Sequence, residues 1–269
     1  MMPGPNSLED AKAEMGVSSF LAEQARGPTN SVQYLMTSSR CFQDEEFTYF
    51  VNEYVRGGEL FTHVSGRGGF PEAQAKTWAR QIVEAVACLH ANGVAHRDIS
   101  LENTLLATHD NSVRIFDFGQ AVSVWDAESA EETPAMYRGI AGKAYYRAPE
   151  MNAHQSYEAR PVDAFAVGVL IFIMVTGVPP WGIAMRTDQI FRFIQGQEEK
   201  GGNGLQTLLT HWGMQARVSP VLVDLLRGLL KQNPQERMTI EDARNHAWFT
   251  GGGGGGGGDG GGDGGGGEM

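Results

Sequence analysis

Four short motifs follow one another along this chain in a fixed order. Residues 96–103 read His-Arg-Asp-Ile-Ser-Leu-Glu-Asn, residues 117–119 read Asp-Phe-Gly, and residues 148–150 read Ala-Pro-Glu. Arg237 follows, in the stretch Asn-Pro-Gln-Glu-Arg-Met-Thr. One short motif is weak evidence by itself. The shared order of all four is strong evidence, and it restricts the chain to folds that use these segments together.

These motifs closely resemble those of the catalytic domain of eukaryotic protein kinases, and the resemblance extends over residues 14–249. It implies an α+β fold, with a mostly helical large lobe and an incomplete small β lobe. Glu102 and Asn103 favour the serine/threonine type over the tyrosine kinases. Residues 246–249, His-Ala-Trp-Phe, are similar to the end of the domain in the calcium/calmodulin-dependent and AMP-activated kinase group.

The resemblance implies transfer of the ATP γ-phosphoryl group to a hydroxyl of a protein substrate. Asp98 corresponds to the base that accepts the proton of the hydroxyl, while Asn103 and Asp117 correspond to the two ligands of Mg²⁺. A phosphoryl group in flight is loosely bonded and highly charged, so catalysis needs positioning and electrostatic stabilisation. The implied cofactors are therefore ATP and Mg²⁺.

The resemblance also implies two contacts within the large lobe. Asp163 corresponds to the helix-borne aspartate that anchors the backbone of the catalytic loop. Arg237 corresponds to the arginine that pairs with Glu150.

Local patterns predict one hairpin and two helix starts. Residues 104–107 and 112–116 flank the turn at 109–111 and predict a hairpin. Ser219 and Pro220 predict the start of an amphipathic helix, and Thr239 with Asp242 predicts a capping box at the start of a last helix that runs to His246.

Two positions depart from the family pattern in the large lobe. Ser100 replaces a lysine that usually contacts the transferred phosphate, and Lys143 replaces a threonine that usually supports the catalytic aspartate. We hypothesise that the ammonium of Lys143 approaches Asp98 and the phosphate from a different backbone origin, because it lies at the end of a flexible stem. The alternative is that Lys143 is a solvated loop lysine.

The small lobe lacks its usual phosphate-binding residues. No Gly-x-Gly-x-x-Gly sequence occurs before residue 50, and the only lysine ahead of Lys76 is Lys12. Glu14 is the best candidate for the glutamate of helix C, and Lys12 is too close to it in sequence to be its partner. We therefore expect an N-terminally truncated kinase domain with four parts. These are an extension at 1–13, a partial small lobe at 14–52 with helix C and strands 4 and 5, a hinge and helical large lobe at 53–249, and a disordered Gly-rich tail at 250–269.

The segment after the second small-lobe strand resembles the hinge that binds adenine. It supplies Glu53 and Val55, and the resemblance adds Leu105 as a further nucleotide-binding residue. Asn52 would guard the back of the pocket. Glu59 is a candidate contact for ribose or for a basic substrate, and its alternative role is that of an acid at a helix N-terminus.

A second function remains open. Without the Gly-rich loop and the strand lysine, the nucleotide phosphates lose one side of their binding site, so the chain could be a pseudokinase or a scaffold fragment without phosphotransfer. The retained Asp98, Asn103 and Asp117 favour the enzyme. A small-molecule kinase is disfavoured by residues 148–150 and Arg237, which belong to the protein-kinase pattern.

The composition restricts which partners the chain can bind and which cellular compartment it is expected to occupy. The formal net charge of -11 argues against nucleic-acid binding, which relies on clustered Lys and Arg. Cys41 and Cys88 form no disulfide framework, so we expect a cytoplasmic or nuclear protein. The start of the chain lacks the features of a signal peptide. The longest apolar run, Ala164 to Val175, is too short to span a bilayer and predicts a core helix, so no membrane partner is expected.

Regulation by phosphorylation is a further expectation for the activation segment, residues 118–147. This segment carries Ser123, Ser129, Thr133 and Tyr137 next to an acidic run. Arg97 corresponds to the family arginine that binds an activating phosphate. The alternative is that the acidic side chains occupy Arg97 without any modification.

Overall fold

The computed structural model describes residues 11–24, 32–126 and 133–251. The predictions for Ser129, for most of the acidic run of the activation segment and for nearly all of the Gly-rich tail lie outside the described residues. The elements in chain order are α1 Ala11–Gln24, β1 Ser38–Gln43, β2 Thr48–Asn52, α2 Leu60–Ser65, α3 Glu72–Ala91, β3 Val94–Ala95, β4 Thr104–Ala107, β5 Ser112–Ile115, β6 Val122–Ser123, β7 Met136–Tyr137, α4 Pro149–Asn152, β8 Tyr157–Glu158, α5 Ala159–Thr176, α6 Gln189–Glu198, α7 Gly204–His211, α8 Pro220–Leu229, α9 Ile240–Arg244 and α10 Ala247–Thr250.

The part before residue 53 consists of α1 and one antiparallel pair, β1 and β2. Helix α1 begins at Ala11, three residues before the boundary predicted at residue 14, so Lys12 and Glu14 lie in the same helix. Aromatic side chains of the pair stay at the surface, where Phe42 stacks on Tyr49 with ring centroids 4.9 Å apart. The small lobe therefore holds one helix and two strands within the described residues.

Helices dominate the rest of the chain, as the predicted α+β architecture requires. Helix α3 follows Pro71 and buries one apolar face, because its apolar residues recur at three- and four-residue intervals. Helix α5 crosses behind it and is buried along almost its whole length. The two helices form the centre of one large apolar core.

Helix α5 is longer than the apolar run that predicted it. By length and composition alone, α5 is long and apolar enough to cross a membrane, since its mean hydropathy is 1.8. However, 89% of it is buried inside the fold, as in the core helix of a globular domain. The helix ends at Thr176 and is followed by Gly177, whose φ is 80°. A Cβ atom at this position would lie 2.3 Å from the backbone carbon of Gly68, so the close approach of these two segments requires glycine.

The predicted hairpin at residues 104–116 is present. Strands β4 and β5 pair antiparallel, and Leu105 lies opposite Arg114. The turn between them is fixed by Asp110, whose Oδ1 accepts hydrogen bonds from the backbone N and the hydroxyl of Ser112. This hairpin carries the chain from Asn103 to the Asp-Phe-Gly sequence.

Two helix starts predicted near the C-terminal end are confirmed, and one predicted helix end is wrong. Ser219 caps α8, and Thr239 forms a capping box with Asp242 at the start of α9. We had expected this last helix to continue to His246, but it ends at Arg244. The side chain of His246 instead accepts a hydrogen bond from Trp248 N and caps a separate short helix, α10.

A buried ion pair joins the end of the activation segment to the loop before α9. Arg237 Nη1 lies 2.7 Å from Glu150 Oε1, and Nη2 lies 2.9 Å from Oε2, so the contact is bidentate. The guanidinium also donates to three backbone carbonyls. This pairing was predicted from the motifs and is confirmed.

Candidate active site

The backbone of the catalytic loop, residues 96–103, is held by one buried carboxylate. Asp163 of α5 is fully buried, and its Oδ1 accepts a hydrogen bond from Arg97 N at 2.7 Å. Its Oδ2 accepts from His96 N at 2.8 Å and lies 2.9 Å from His90 Nε2. Arg97 consequently keeps a positive φ of 62°, which is uncommon for a residue with a side chain. The sequence predicted this anchoring role of Asp163.

The same loop is tied to the strand that leads into Asp117. The ring of His96 is buried, with Nε2 3.0 Å from Phe116 O, while Nδ1 accepts from Asp98 N at 3.3 Å. These partners assign the proton to Nε2, because a carbonyl oxygen only accepts. Phe116 N in turn donates to Asn103 O at 3.1 Å. The structure therefore brings Asp98, Asn103 and Asp117 to one place in the fold.

Asn103 is oriented by Asp98. Its Nδ2 donates to Asp98 O and to Asp98 Oδ2, both at 2.9 Å, and both residues are buried. Because both of these partners are acceptors, the amide orientation is fixed, and Oδ1 is directed away from them. Oδ1 lies 3.2 Å from the ammonium of Lys143.

Lys143 reaches the catalytic loop, as hypothesised from the sequence. Its Nζ lies 3.1 Å from Asp98 Oδ2 and 3.4 Å from Oδ1, and it donates to Ser100 Oγ at 3.0 Å. The Lys143 side chain is 34% exposed, whereas the Asp98 side chain is 7% exposed. The geometry differs from that of a solvated loop lysine, since three side chains of the loop contact the ammonium.

The Asp117 carboxylate has fewer hydrogen-bond partners than the side chains of Asp98 and Asn103. It is partly exposed, its φ is 65°, and Oδ1 accepts a long contact from Gly119 N at 3.4 Å. Within the described ranges no group of three or more His, Cys, Asp or Glu side chains is placed to hold a metal. Asn103 and Asp117 nevertheless fit Mg²⁺, because this ion prefers oxygen ligands and is usually held by one or two side chains together with phosphates and water.

The residues predicted to bind the nucleotide base and ribose lie around the β4–β5 hairpin. Val55 is buried in a small apolar cluster, and Leu105 packs against that cluster. Glu59 forms an isolated β-bridge with Leu105 and is exposed. It immediately precedes α2 but makes no side-chain capping bond, so the alternative role at a helix N-terminus has no hydrogen bond to support it.

Glu53 and Asn52 have contacts that the sequence did not suggest. Glu53 Oε1 accepts a hydrogen bond from Arg114 Nε at 2.7 Å, and its side chain is 47% exposed. Asn52 is also exposed, and its Oδ1 accepts from Ser38 Oγ at 2.7 Å. Its exposure does not match the predicted place at the back of a pocket. Arg114 was missed because only the register of the hairpin brings it near Glu53.

A second connection to the catalytic loop was also missed. Glu102 accepts hydrogen bonds from the hydroxyls of Tyr145 at 2.9 Å and Tyr146 at 3.2 Å, and Leu101 N donates to the Tyr146 oxygen at 3.1 Å. Burial, and then the Glu102 charge, raise the pKa of Tyr145 to about 12. The same two causes raise the pKa of Tyr146 well above its ordinary value. Both hydroxyls therefore stay protonated and donate to Glu102.

Arg97 lies beside Tyr137, one of the candidate phosphorylation sites. Its Nε donates to Gln120 O at 2.7 Å, Nη1 lies 3.4 Å from the Tyr157 hydroxyl, and the guanidinium lies 5.3 Å from the centre of the Tyr137 ring. The two sequence alternatives for Arg97, a phosphate or the acidic run, involve residues partly outside the described ranges.

The chain belongs to the protein kinase domain family, whose model matches residues 8–249. It is 33% identical over 246 residues to calcium-dependent protein kinase 29 of Arabidopsis thaliana, covering 90% of the chain and 41% of that relative. It is 34% identical over 208 residues to calcium/calmodulin-dependent protein kinase type II of Caenorhabditis briggsae, covering 77% of the chain and 36% of the relative. It is 31% identical over 247 residues to calcium-dependent protein kinase 2 of Zea mays, covering 91% and 43%. The chain thus spans less than half the length of these relatives.

Proposed function

We propose that this chain is an ATP-dependent protein serine/threonine kinase domain. The substrate hydroxyl would be oriented by Asp98, and Asn103 and Asp117 would hold Mg²⁺, which supplies positive charge to the phosphates when it is bound. The observation that carries the proposal is the mutual support of these residues: Asp163 fixes the loop, His96 fixes the strand before Asp117, and Asp98 orients Asn103.

The nucleotide is assigned to the face formed by the hinge and the β4–β5 hairpin. Val55 and Leu105 supply apolar surface suited to a planar base, and the exposed Glu59 carboxylate lies beside Leu105, where it can accept hydrogen bonds from sugar hydroxyls. Glu53 contributes through its backbone, because its side chain is engaged with Arg114. A protein with an exposed serine or threonine is the proposed substrate.

A non-enzymatic scaffold is the second candidate, and one observation favours it. Strands β1 and β2 carry no lysine, and Lys12 lies in α1 together with Glu14. The phosphates would then lack a lysine from these two strands. Loss of a preorganised charge of this kind lowers the rate of phosphoryl transfer, and a scaffold would use the catalytic loop for structure only.

Two measurements on the intact protein separate the candidates. We expect Mg²⁺-dependent ATP binding, detected by calorimetry, and phosphate transfer from labelled ATP to a mixture of serine- and threonine-containing peptides. Asp98→Asn should lower kcat by about 10²- to 10⁴-fold, because it removes the proton acceptor. Glu236→Gln, an exposed substitution outside the group formed by Asp98, Asn103 and Asp117, is the matched control. If the wild-type protein neither binds ATP nor transfers phosphate, the scaffold function is favoured.

A further inference from the structure

The ammonium of Lys143 lies among three side chains of the catalytic loop. Ser100 Oγ, Asp98 Oδ2 and Asn103 Oδ1 lie 3.0, 3.1 and 3.2 Å from it. All three are acceptors toward an ammonium, and two of them belong to the residues proposed to act on the substrate and on Mg²⁺. The ammonium is therefore placed at the reacting end of the site, while its stem begins in another segment of the chain.

The neighbouring basic side chains have other partners. Arg97 donates to Gln120 O and reaches the Tyr157 hydroxyl. Arg147 Nε donates to the carbonyls of Gly142 at 2.7 Å and Ala141 at 3.2 Å. Of the basic residues in this part of the described structure, Lys143 is the one that hydrogen-bonds both Asp98 and Asn103. A phosphate entering beside Asp98 and Asn103 would meet the positive charge of Lys143.

The backbone before Lys143 is built for a close approach to the loop. Gly142 has a φ of 73°, and a Cβ atom there would lie 2.9 Å from Arg97 O and 3.2 Å from Asp98 Oδ1. Gln120 Oε1 accepts from Gly142 N at 2.9 Å, and Arg147 holds Gly142 O on the other side. These contacts hold the backbone beside Lys143 close enough to the catalytic loop for the Lys143 ammonium to reach Asp98.

Ser100 completes the arrangement from the loop side. It is buried, and its Oγ accepts from Asn103 N at 3.2 Å as well as from Lys143. The pair consists of one cation and one hydroxyl in direct contact, with the cation on the 141–147 segment and the hydroxyl on the catalytic loop. Either residue of such a pair can in principle carry the cation, provided that the other carries the hydroxyl.

We propose that Lys143 is the side chain that binds the transferred γ-phosphoryl group, with Ser100 as its positioning partner. The inference rests on the proposed kinase function and assigns its phosphate-binding cation. In the step, the substrate hydroxyl oxygen forms a bond to the γ-phosphorus, and the bond from that phosphorus to the β–γ bridging oxygen breaks, leaving its electron pair on ADP. The hydroxyl proton passes to the Asp98 carboxylate. Lys143 donates hydrogen bonds to γ-phosphoryl oxygens and transfers no proton.

This assignment makes catalysis depend on the 141–147 segment as well as on the loop. The catalytic loop supplies the base, and the 141–147 segment supplies the charge that meets the phosphate. Both must be in place together, since the Lys143 ammonium reaches Asp98 only when the 141–147 segment lies against the loop. Displacement of the segment would therefore remove the cation and leave Asp98 in position.

The test is an exchange of the two side chains in the intact protein. Lys143→Thr should lower kcat about 100-fold, the scale found when one preorganised donor to a transition state is removed. Ser100→Lys alone should also be impaired, because it places two ammonium groups in contact. The double variant Ser100→Lys/Lys143→Thr restores one cation and one hydroxyl, and its kcat should recover to within about tenfold of wild type. Lys200→Thr, an exposed substitution in the turn after α6, is the control.

A second measurement does not depend on turnover or on the fold of the double variant. Because Lys143 contacts the γ-phosphoryl group, Lys143→Thr should weaken the binding of a non-hydrolysable ATP analogue while leaving ADP affinity unchanged, as measured by calorimetry. Wild-type kcat in Lys143→Thr would overturn the inference and leave the kinase function standing. Equal losses of analogue and ADP affinity, or a folded double variant no faster than Lys143→Thr, would also overturn it. A wild-type protein without transfer activity would refute both the function and the inference.

Discussion

The Glu102 carboxylate of the catalytic loop accepts a hydrogen bond from the Tyr146 hydroxyl, which lies three residues after Lys143. The Tyr145 hydroxyl donates to the other oxygen of the same carboxylate. The 141–147 segment is thus fastened to the loop at two points, through the Lys143 ammonium and through this carboxylate. The two points suggest that Glu102 positions Lys143 without touching the phosphate.

Removal of this fastening should reduce the rate more than the stability. Glu102→Ala leaves both tyrosine hydroxyls without their acceptor, so the segment can shift away from Asp98. We expect kcat to fall by about tenfold, since a displacement of 1 Å can have large effects on positioned groups. The kcat of Glu102→Gln, which keeps one acceptor oxygen, should fall less. If Lys143 acts as proposed, Glu102→Ala should have little further effect in a Lys143→Thr background, and purely additive losses would contradict the coupling.

The raised pKa of Tyr145 predicts a loss of stability at alkaline pH. The pKa is about 12 in the folded protein against 10 for a free tyrosine, because burial and Glu102 oppose the phenolate. Below pH 10 both states hold the proton and the contribution is fully present. Between pH 10 and 12 the unfolded chain loses the proton first, so the stabilising contribution decreases as pH rises.

The measurement is thermal unfolding of wild type and Tyr145→Phe from pH 8 upward, with tyrosinate absorbance recorded in parallel. The melting temperature of the wild type should fall more steeply above pH 10 than that of Tyr145→Phe. Tyr54→Phe, at an 87% exposed position, controls for the loss of one tyrosine. Identical slopes in wild type and Tyr145→Phe would show that Tyr145 titrates normally.

The Glu150–Arg237 pair should be far more important for folding than a surface pair. Both side chains are almost fully buried, so Glu150→Gln leaves the Arg237 charge in the interior without its partner. We expect a loss of about 3–5 kcal/mol in the free energy of unfolding. Glu199→Gln, which breaks the exposed pair with Arg186, should change it by about 1 kcal/mol or less. Urea unfolding of the two variants checks the difference, and equal changes would contradict the role of burial.

The sequence predicted the parts of this fold that depend on short motifs with a single physical solution. The role of Asp163, the Glu150–Arg237 pair and the β4–β5 hairpin all follow from residue type and order. Contacts made across the fold were harder to predict. Glu102 and its tyrosines are more than 40 positions apart in sequence, and nothing in their local pattern indicates that they meet. The end of α9 was missed because His246 can cap a helix as well as continue one.

The last prediction separates anchoring of the catalytic loop from general stability. Asp163→Asn replaces one acceptor oxygen by an amide donor, so a backbone N–H of His96 or Arg97 loses its partner in the interior. An unsatisfied buried donor costs about 1–3 kcal/mol, and the loop can no longer hold the positive φ of Arg97. Asp98 would then be displaced, and kcat should fall by at least about tenfold.

The matched control is Asp188→Asn, because Asp188 also uses its carboxylate to accept backbone N–H groups, at the start of α6. Its loss should lower the melting temperature while the remaining folded protein keeps the wild-type kcat. The comparison is made at a temperature at which both variants are folded, as judged by circular dichroism. Equal kcat values for Asp163→Asn and Asp188→Asn would mean that the carboxylate of Asp163 stabilises the fold without positioning Asp98.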